Sequence, residues 1–105
     1  MVELHITESF AGDLCGEGIA RSLQVHRADR TVEFVGIERF CGMLGERRGS
    51  FVIEGPGTIE HGKVKGRWYV VPGSGTDELS GLRGEGGFEG NVGEGSDATL
   101  DYWFE

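Results

Sequence analysis

Glu38 is the residue of this chain best placed to do chemistry. Between Phe34 and Phe40 it has the same parity as both phenylalanines, and successive side chains of a strand point to opposite faces. The pattern therefore predicts a carboxylate that points into an apolar interior. Burial would raise its pKa, so that it could transfer a proton or bind a polar group of a substrate. In the structural alternative, Glu38 pairs with an interior arginine or lies near a rim.

His26 is a second candidate for a catalytic base. It shares one strand face with Ser22 and Gln24, whereas the opposite face carries three large apolar residues, Ile19, Leu23 and Val25. Only one of these faces can line an interior. Hydrophobicity favours the apolar face, and a histidine near the end of a strand is commonly a rim residue.

Several large side chains fit one apolar interior, and they are candidate ligand contacts. With Gln24 in the same role, the set is Phe34, Phe40, Phe51, Ile53, Trp68, Tyr102 and Phe104. The alternative for each is plain core packing, because a small barrel is either packed or holds one small ligand. Trp103 has the opposite parity to Tyr102, so we expect it to be exposed and to make a subunit contact.

The glycine-rich stretch VPGSGTDELSGLRGEGGF (71–88) raises the question of phosphate binding. A phosphate loop needs a parallel strand, a long helix and usually a lysine, and this stretch has no lysine. We expect a turn, capped by Thr76, that leads into a tightly curved strand. Gly84 and Gly86 share one face of that strand, where another group can approach closely.

Other polar residues give weaker signals. Arg83 and Glu85 share a strand face and predict an ion pair. The three histidines, His5, His26 and His61, are scattered, so no metal site is predicted. Nothing in the sequence calls for a cofactor.

Length and charge limit the class of protein. The chain has 105 residues and a formal net charge of −8. We expect a single domain over residues 1–105. The acidic charge argues against a nucleic-acid partner and against an anionic membrane surface. Without a secretory signal at the start, and with Cys15 and Cys41 matching no redox or zinc motif, we expect a cytoplasmic protein with reduced thiols.

Apolar residues recur mostly with a period of two, which is typical of strands. Runs such as SFVIE (50–54) and GRWYVV (66–71) are separated by turn sequences such as RADR (27–30) and EHGK (60–63). About seven candidate strands follow one another in this way. The pattern predicts an all-β fold with an antiparallel meander, either a barrel or a sandwich.

Several motifs make the chain resemble a bacterial domain-of-unknown-function family, DUF3224. They are FVGIERFCGML (34–44), GSFVIEGPGTI (49–59), WYVVPGSGT (68–76), LSGLRGEGGF (79–88) and TLDYWFE (99–105). The resemblance implies a small β-barrel like that of allene oxide cyclase, in a superfamily with dirigent proteins and spirotetronate cyclases. Those relatives use the barrel lumen to hold a reactive apolar substrate in one conformation. It also favours the face of Ser22, Gln24 and His26 as the one that lines the lumen.

The chain departs from the family pattern in two places. Family members usually have a further strand before the segment equivalent to ELHITESFAGD, so we expect an edge without a partner. Pairing across a two-fold axis would satisfy that edge, and we expect a homodimer with Trp103 at or near the contact. Arg30 occupies a turn position that is normally glycine, which implies strain or another turn type.

Three functions remain open at this point. The barrel could bind a small apolar molecule without chemistry. It could instead be a cofactor-independent cyclase or isomerase for a polyketide-like or lipid-like substrate, in which Glu38 polarises or deprotonates the substrate. The third alternative is a structural barrel with a packed interior and no ligand.

Overall fold

Strands make up nearly all of the regular structure, as the period of two predicts. The structure is a computed structural model that describes the backbone of residues 2–10 and 12–105 and the side chains of residues 12–105. The side chain of His5 lies outside the described side chains.

The strands follow one another along the chain. They are β1 (Val2–Phe10), β2 (Leu14–His26), β3 (Val32–Leu44), β4 (Arg47–Glu60), β5 (Lys63–Val70), β6 (Leu82–Asn91) and β7 (Ser96–Phe104). Each pairs antiparallel with the next, in the sheet order β1-β2-β3-β4-β5-β6-β7. The prediction of an all-β antiparallel meander is confirmed. A 3₁₀ helix, Asp77–Leu79, precedes β6, and the described residues contain no helix long and apolar enough to cross a membrane.

The sheet is open. Within the described residues its hydrogen-bonded ladders end at β1 on one side and at β7 on the other. The closed barrel expected from the sequence is therefore not confirmed. The sheet is nevertheless strongly curled, because Leu14 of β2 and Phe104 of β7 pack against the same hydrophobic cluster. About eight strands usually enclose an interior just wide enough for side chains, so a narrower sheet must coil sharply to meet itself.

The hydrophobic core occupies one end of the inner face of this curled sheet. Its buried members are Phe40, Leu44, Phe51, Ile53, Trp68, Val70, Leu79 and Leu82. Each large side chain that is fully buried in this way contributes about 2 kcal/mol to stability. Trp68 also ties β5 to β7, because its Nε1–H donates to the carbonyl oxygen of Thr99 at 2.8 Å. The indole must cross β6 to reach that oxygen, and the residue opposite Trp68 on β6 is Gly86.

After β5 the glycine-rich stretch continues beside β4 as a loop. The backbone N–H groups of Val52 and Ser50 donate to the hydroxyls of Ser74 and Thr76, each at 3.0 Å. The loop then buries Leu79 completely in the core. The expected loop before a strand is present, but the expected cap is wrong, because the Thr76 side chain makes no cap hydrogen bond to the 3₁₀ helix. Its hydroxyl instead accepts the Ser50 N–H.

The turn between β2 and β3 has the strain that Arg30 implies. Arg30 has a φ of 70°, in the left-handed region that favours glycine. Asp29 stabilises the same turn, because its Oδ1 accepts hydrogen bonds from the hydroxyl and backbone N–H of Thr31 at 2.6 and 3.1 Å. These bonds hold the pKa of Asp29 below its usual value.

We expect Arg30→Gly to stabilise the fold. Glycine removes the Cβ conflict at this φ, and the net gain after its greater unfolded-state entropy is about 0.5–1 kcal/mol. Thermal unfolding would show a rise in Tm of a few degrees, about 2–6 °C for a domain of this size. Arg30→Ala is the matched control, because it removes the side chain but keeps the strain. A gain with alanine equal to that with glycine would contradict the strain argument.

Candidate functional site

A cavity of about 550 Å³ lies on the inner face of the sheet, beside the core. Small-molecule sites have volumes of this order. Its walls come from β2, β3, β4, β5, β6 and β7 and from the loop between β6 and β7. The lining residues that the argument uses are Ala20, Ser22, Gln24, Phe34, Gly36, Glu38, Gly55, Trp68 and Phe88.

The register explains why this space is empty. Ser22 pairs with Gly36, Gly36 pairs with Gly55, and the next inward position on β5 is Trp68. Two glycines therefore separate the Ser22 hydroxyl from the Trp68 ring, across three strand spacings or about 14 Å. A Cβ at Gly36 would come no closer than 3.5 Å to its nearest neighbour, the Arg21 carbonyl oxygen, so packing does not demand glycine there.

The two possible faces of β2 are now distinguished. Ser22 and Gln24 are buried, with 6% and 9% of their surface exposed, and both line the cavity. Leu23 is 45% exposed on the opposite face, as are Ile19 and Val25 to similar or greater extents. The face indicated by the resemblance is the inner one, and the face favoured by hydrophobicity is the outer one.

Glu38 points into the protein, as its parity predicts. It is 7% exposed and lines the cavity next to the fully buried Phe40. Its carboxylate lies over Gly18 of β2, where an added Cβ would overlap the Glu38 Oε2 and come within 2.8 Å of its Cδ. The absence of a side chain at Gly18 therefore fixes where the carboxylate can sit. The raised pKa expected for Glu38 stays a prediction.

Aromatic rings form the far wall of the cavity. The Phe34 and Phe88 rings stack with centroids 6.3 Å apart, and the Phe88 centroid is 5.4 Å from that of Trp68. Phe34 lies over Gly57 and Phe88 lies over Gly66, the residues directly opposite them in the ladders. A flat wall results, because each ring rests on a position without a side chain.

Ser22 adds a buried polar group to the lining of the cavity. Its Oγ is buried and finds no hydrogen-bond partner among the described residues. A buried hydroxyl without a partner carries a desolvation cost of about 1–3 kcal/mol, which a bound hydroxyl, carbonyl or water would offset. This residue is a functional candidate that sequence reasoning passed over in favour of its neighbours.

His26 lies at the rim rather than inside. It is exposed, and its Nε2 is 3.2 Å from Oε1 of Gln24, which the neutral Nε2–H tautomer would reach as a donor. His26 can orient the amide of Gln24 in this way. It is not among the cavity-lining residues.

The other predicted contacts divide between cavity and core. Ile53 and Trp68 belong to both, whereas Phe40 and Phe51 are buried in the core and do not line the cavity. Phe104 packs on the edge of the core beneath the Arg47 guanidinium, 4.1 Å from its ring centroid.

Two expected placements are corrected. Tyr102 is 42% exposed instead of interior, because β7 is the last strand of the described sheet and nothing covers its outer side. Arg83 pairs with Glu105 at 3.1 Å rather than with Glu85.

Phe88 and Ala20 line the cavity, and Gly18 lies under the Glu38 carboxylate, but the sequence analysis selected none of the three. Phe88 could have been found from its position among glycines, since a lone aromatic residue in GEGGFEG must pack over something small. Ala20 and Gly18 required the β2–β3 register, which places them opposite Glu38 and Phe40. Over the described residues, no three His, Cys, Asp or Glu side chains converge on a point where a metal ion could bind.

Gly18→Ala tests whether the Glu38 carboxylate lies over Gly18. The new methyl group forces Glu38 to move, and we expect a cost of about 1–3 kcal/mol. Gly36→Ala is the control, with room for its methyl group, and should be neutral or stabilising by up to about 1 kcal/mol. In a Glu38→Ala background, the cost of Gly18→Ala should largely vanish, as a double-mutant cycle by chemical denaturation would show. Equal costs in both backgrounds would mean that the carboxylate does not sit over Gly18.

Comparison with known proteins agrees with this architecture. No curated protein matches the chain. A crystal structure of a protein with unknown function from the DUF3224 family of Shewanella oneidensis MR-1 superposes with a TM-score of 0.84 and 28% sequence identity, over 98% of this chain and 77% of that one. The model of the family described as protein of unknown function (DUF3224) matches residues 1–104. The chain therefore belongs to the DUF3224 family.

Proposed function

We propose that the curled sheet acts as a barrel-like container for one small, flat and mostly apolar molecule that carries a hydrogen-bonding group. The observation that carries this proposal is the buried Ser22 hydroxyl, which has no partner among the described residues and faces an aromatic-lined cavity. A cavity that served only packing would have no reason to retain such a group.

The lining residues indicate which kind of ligand fits the cavity. Phe34, Phe88 and Trp68 offer ring faces and edges to an apolar planar body. Ser22, Gln24 and Glu38 offer a hydroxyl, an amide and a carboxyl group to the same cavity, from β2 and β3. Two fused rings with one hydroxyl or keto group fit within a cavity of about 550 Å³. A volume of about 550 Å³ argues against the fully packed interior of the structural alternative.

Catalysis is the second candidate, and the buried Glu38 favours it. A carboxylate beside a bound ketone can remove a proton from the carbon next to the carbonyl group, so that the C–H bond breaks and an enolate forms. The Ser22 hydroxyl and the Gln24 amide can donate hydrogen bonds to the enolate oxygen. Return of the proton to another carbon, or ring closure by the enolate, would complete an isomerisation or a cyclisation without a cofactor.

Binding is tested with 2-naphthol and naphthalene in an NMR titration of the ¹⁵N-labelled protein. The indole N–H signal of Trp68 reports on the cavity, and a Trp103→Phe variant assigns the two indole signals. We expect both probes to shift the Trp68 signal, with 2-naphthol bound about 3–10-fold more tightly because of its hydrogen bond. Ser22→Ala should bring the two affinities close together without weakening naphthalene.

Gly36→Val supplies the blocking control for the same titration. Its branched side chain suits a strand and extends into the cavity, so it should abolish binding of both probes while Tm is kept. No shift of the Trp68 signal in the wild-type protein, or an unchanged shift in Gly36→Val, would contradict a ligand site in this cavity.

Glu38→Gln separates catalysis from structure. If Glu38 is a base, the variant should keep its Tm and bind 1-tetralone, but lose the acceleration of deuterium exchange at the α-carbon that the wild-type protein gives in D₂O. If Glu38 is instead one member of a buried ion pair, the change should cost about 3 kcal/mol and lower Tm. If the wild-type protein binds 2-naphthol but deuterium exchange proceeds only at the buffer rate, ligand binding is supported and the role of Glu38 as a base is rejected.

A further inference from the structure

The outer surface of the sheet carries an apolar area that no described part of the chain covers. It consists of exposed side chains from four neighbouring strands, and we call it the outer apolar face: Leu23 and Val25 of β2, Val35 and Ile37 of β3, Pro56 of β4 and Tyr69 of β5. Ile37 is 48% exposed at its centre. Large aliphatic side chains on the solvent side of a strand whose inner side carries Ser22 and Gln24 invert the usual pattern.

The register makes this area continuous. Leu23 pairs with Val35, and Val35 with Pro56. One row along, Arg21 pairs with Ile37, Ile37 with Glu54 and Glu54 with Tyr69. The face therefore spans about 15 Å across the strands and about 15–20 Å along them. Contiguous exposed apolar areas of this extent mark interaction sites.

Charge on the face is arranged symmetrically about Ile37. Arg21 lies one strand to one side of Ile37, and Glu54 lies one strand to the other side, in the same row. Glu54 also accepts a hydrogen bond from the Tyr69 hydroxyl, which raises the pKa of that tyrosine and holds the carboxylate at the border of the face. A two-fold axis that lies in the plane of the interface, parallel to the strands and over Ile37, would bring Arg21 of one copy onto Glu54 of the other.

We propose that the outer apolar face is the homodimer interface, occupied by a second copy of this chain related by that two-fold axis. The face is self-complementary in charge, as an isologous contact requires. Two sheets packed in this way bury Ile37 and Val35 against their own symmetry mates.

Trp103 marks a second surface through which the chain could dimerise. Trp103 is 52% exposed on β7, at the far edge of the sheet from β2 and β3. Its outward neighbours on the same strand are Asp101 and Glu105, so an acidic border surrounds it. A dimer through Trp103, as expected from the sequence, and a dimer through the outer apolar face therefore predict different sensitive residues.

Sedimentation velocity on the full chain in the presence of a reductant tests the interface. The reductant is needed because Cys15 and Cys41 are free and exposed. At about 100 μM we expect the wild-type protein to be a dimer, which requires a Kd in the low micromolar range or tighter. Ile37→Asp should weaken dimerisation by at least about 30-fold, as for a central hot spot. Trp103→Asp should leave it unchanged, and circular dichroism should show the same fold in both variants.

A charge exchange tests the two-fold arrangement itself. Arg21→Glu and Glu54→Arg should each weaken the dimer, because each places like charges together across the axis. Mixing the two variants should restore dimers, since every cross-axis contact then joins opposite charges. A contact confined to one chain could not be restored by mixing, so recovery is specific to the interface.

Four outcomes would overturn the proposal. They are a wild-type monomer at about 100 μM, a dimer that survives Ile37→Asp, a dimer lost only in Trp103→Asp, and a mixture of the two charge variants that stays monomeric. The ligand titration uses none of these variants, so the two proposals are tested separately, although Arg21, Ile37 and Glu54 are also cavity-lining residues.

Discussion

The inner face of this sheet depends on the pairing of large side chains with glycines in neighbouring strands. Phe34 rests on Gly57, Phe88 on Gly66, and the Glu38 carboxylate on Gly18. A side chain that lies flat over a glycine stays close to the backbone of the neighbouring strand. A tightly curled sheet can therefore hold bulky residues on its inner face without filling its interior. The abundance of glycine is thus a condition for the curl and for the space inside it. A Cβ at Gly57 or Gly66 would remove both.

This pairing divides the interior into a packed end and an open end. At the packed end, aromatic and aliphatic side chains contact one another directly. The ring centroids of Phe40 and Phe51 are 5.1 Å apart, and Leu79 is completely buried at the same end. At the open end, Gly36 and Gly55 stand opposite Ser22, and no side chain enters the space. Glu38 lies on the boundary, with the core on one side and the cavity on the other.

The sequence contains the strands and their order, because both follow from the period of two and from local turns. It also places Glu38 correctly, since Phe34 and Phe40 give β3 an unambiguous inner face. The inner face of β2 could not be predicted, because hydrophobicity favours the face that lies outside in the structure. Strand register decides that case, and register is a long-range property set by pairing with β3. The same limit explains Arg83, whose partner Glu105 comes from the end of the neighbouring strand rather than from its own.

The inversion of β2 connects the two surfaces to which we assign roles. A strand that placed Leu23 and Val25 inside would have closed the cavity and left Ser22 and Gln24 in water, where they need no partner. The actual orientation exposes apolar side chains and buries polar ones, and both choices cost free energy in an isolated chain. A ligand that hydrogen-bonds Ser22 offsets the inner cost, and a second copy that covers Leu23 and Ile37 offsets the outer one. The two proposals therefore address the same feature of the fold, the orientation of β2.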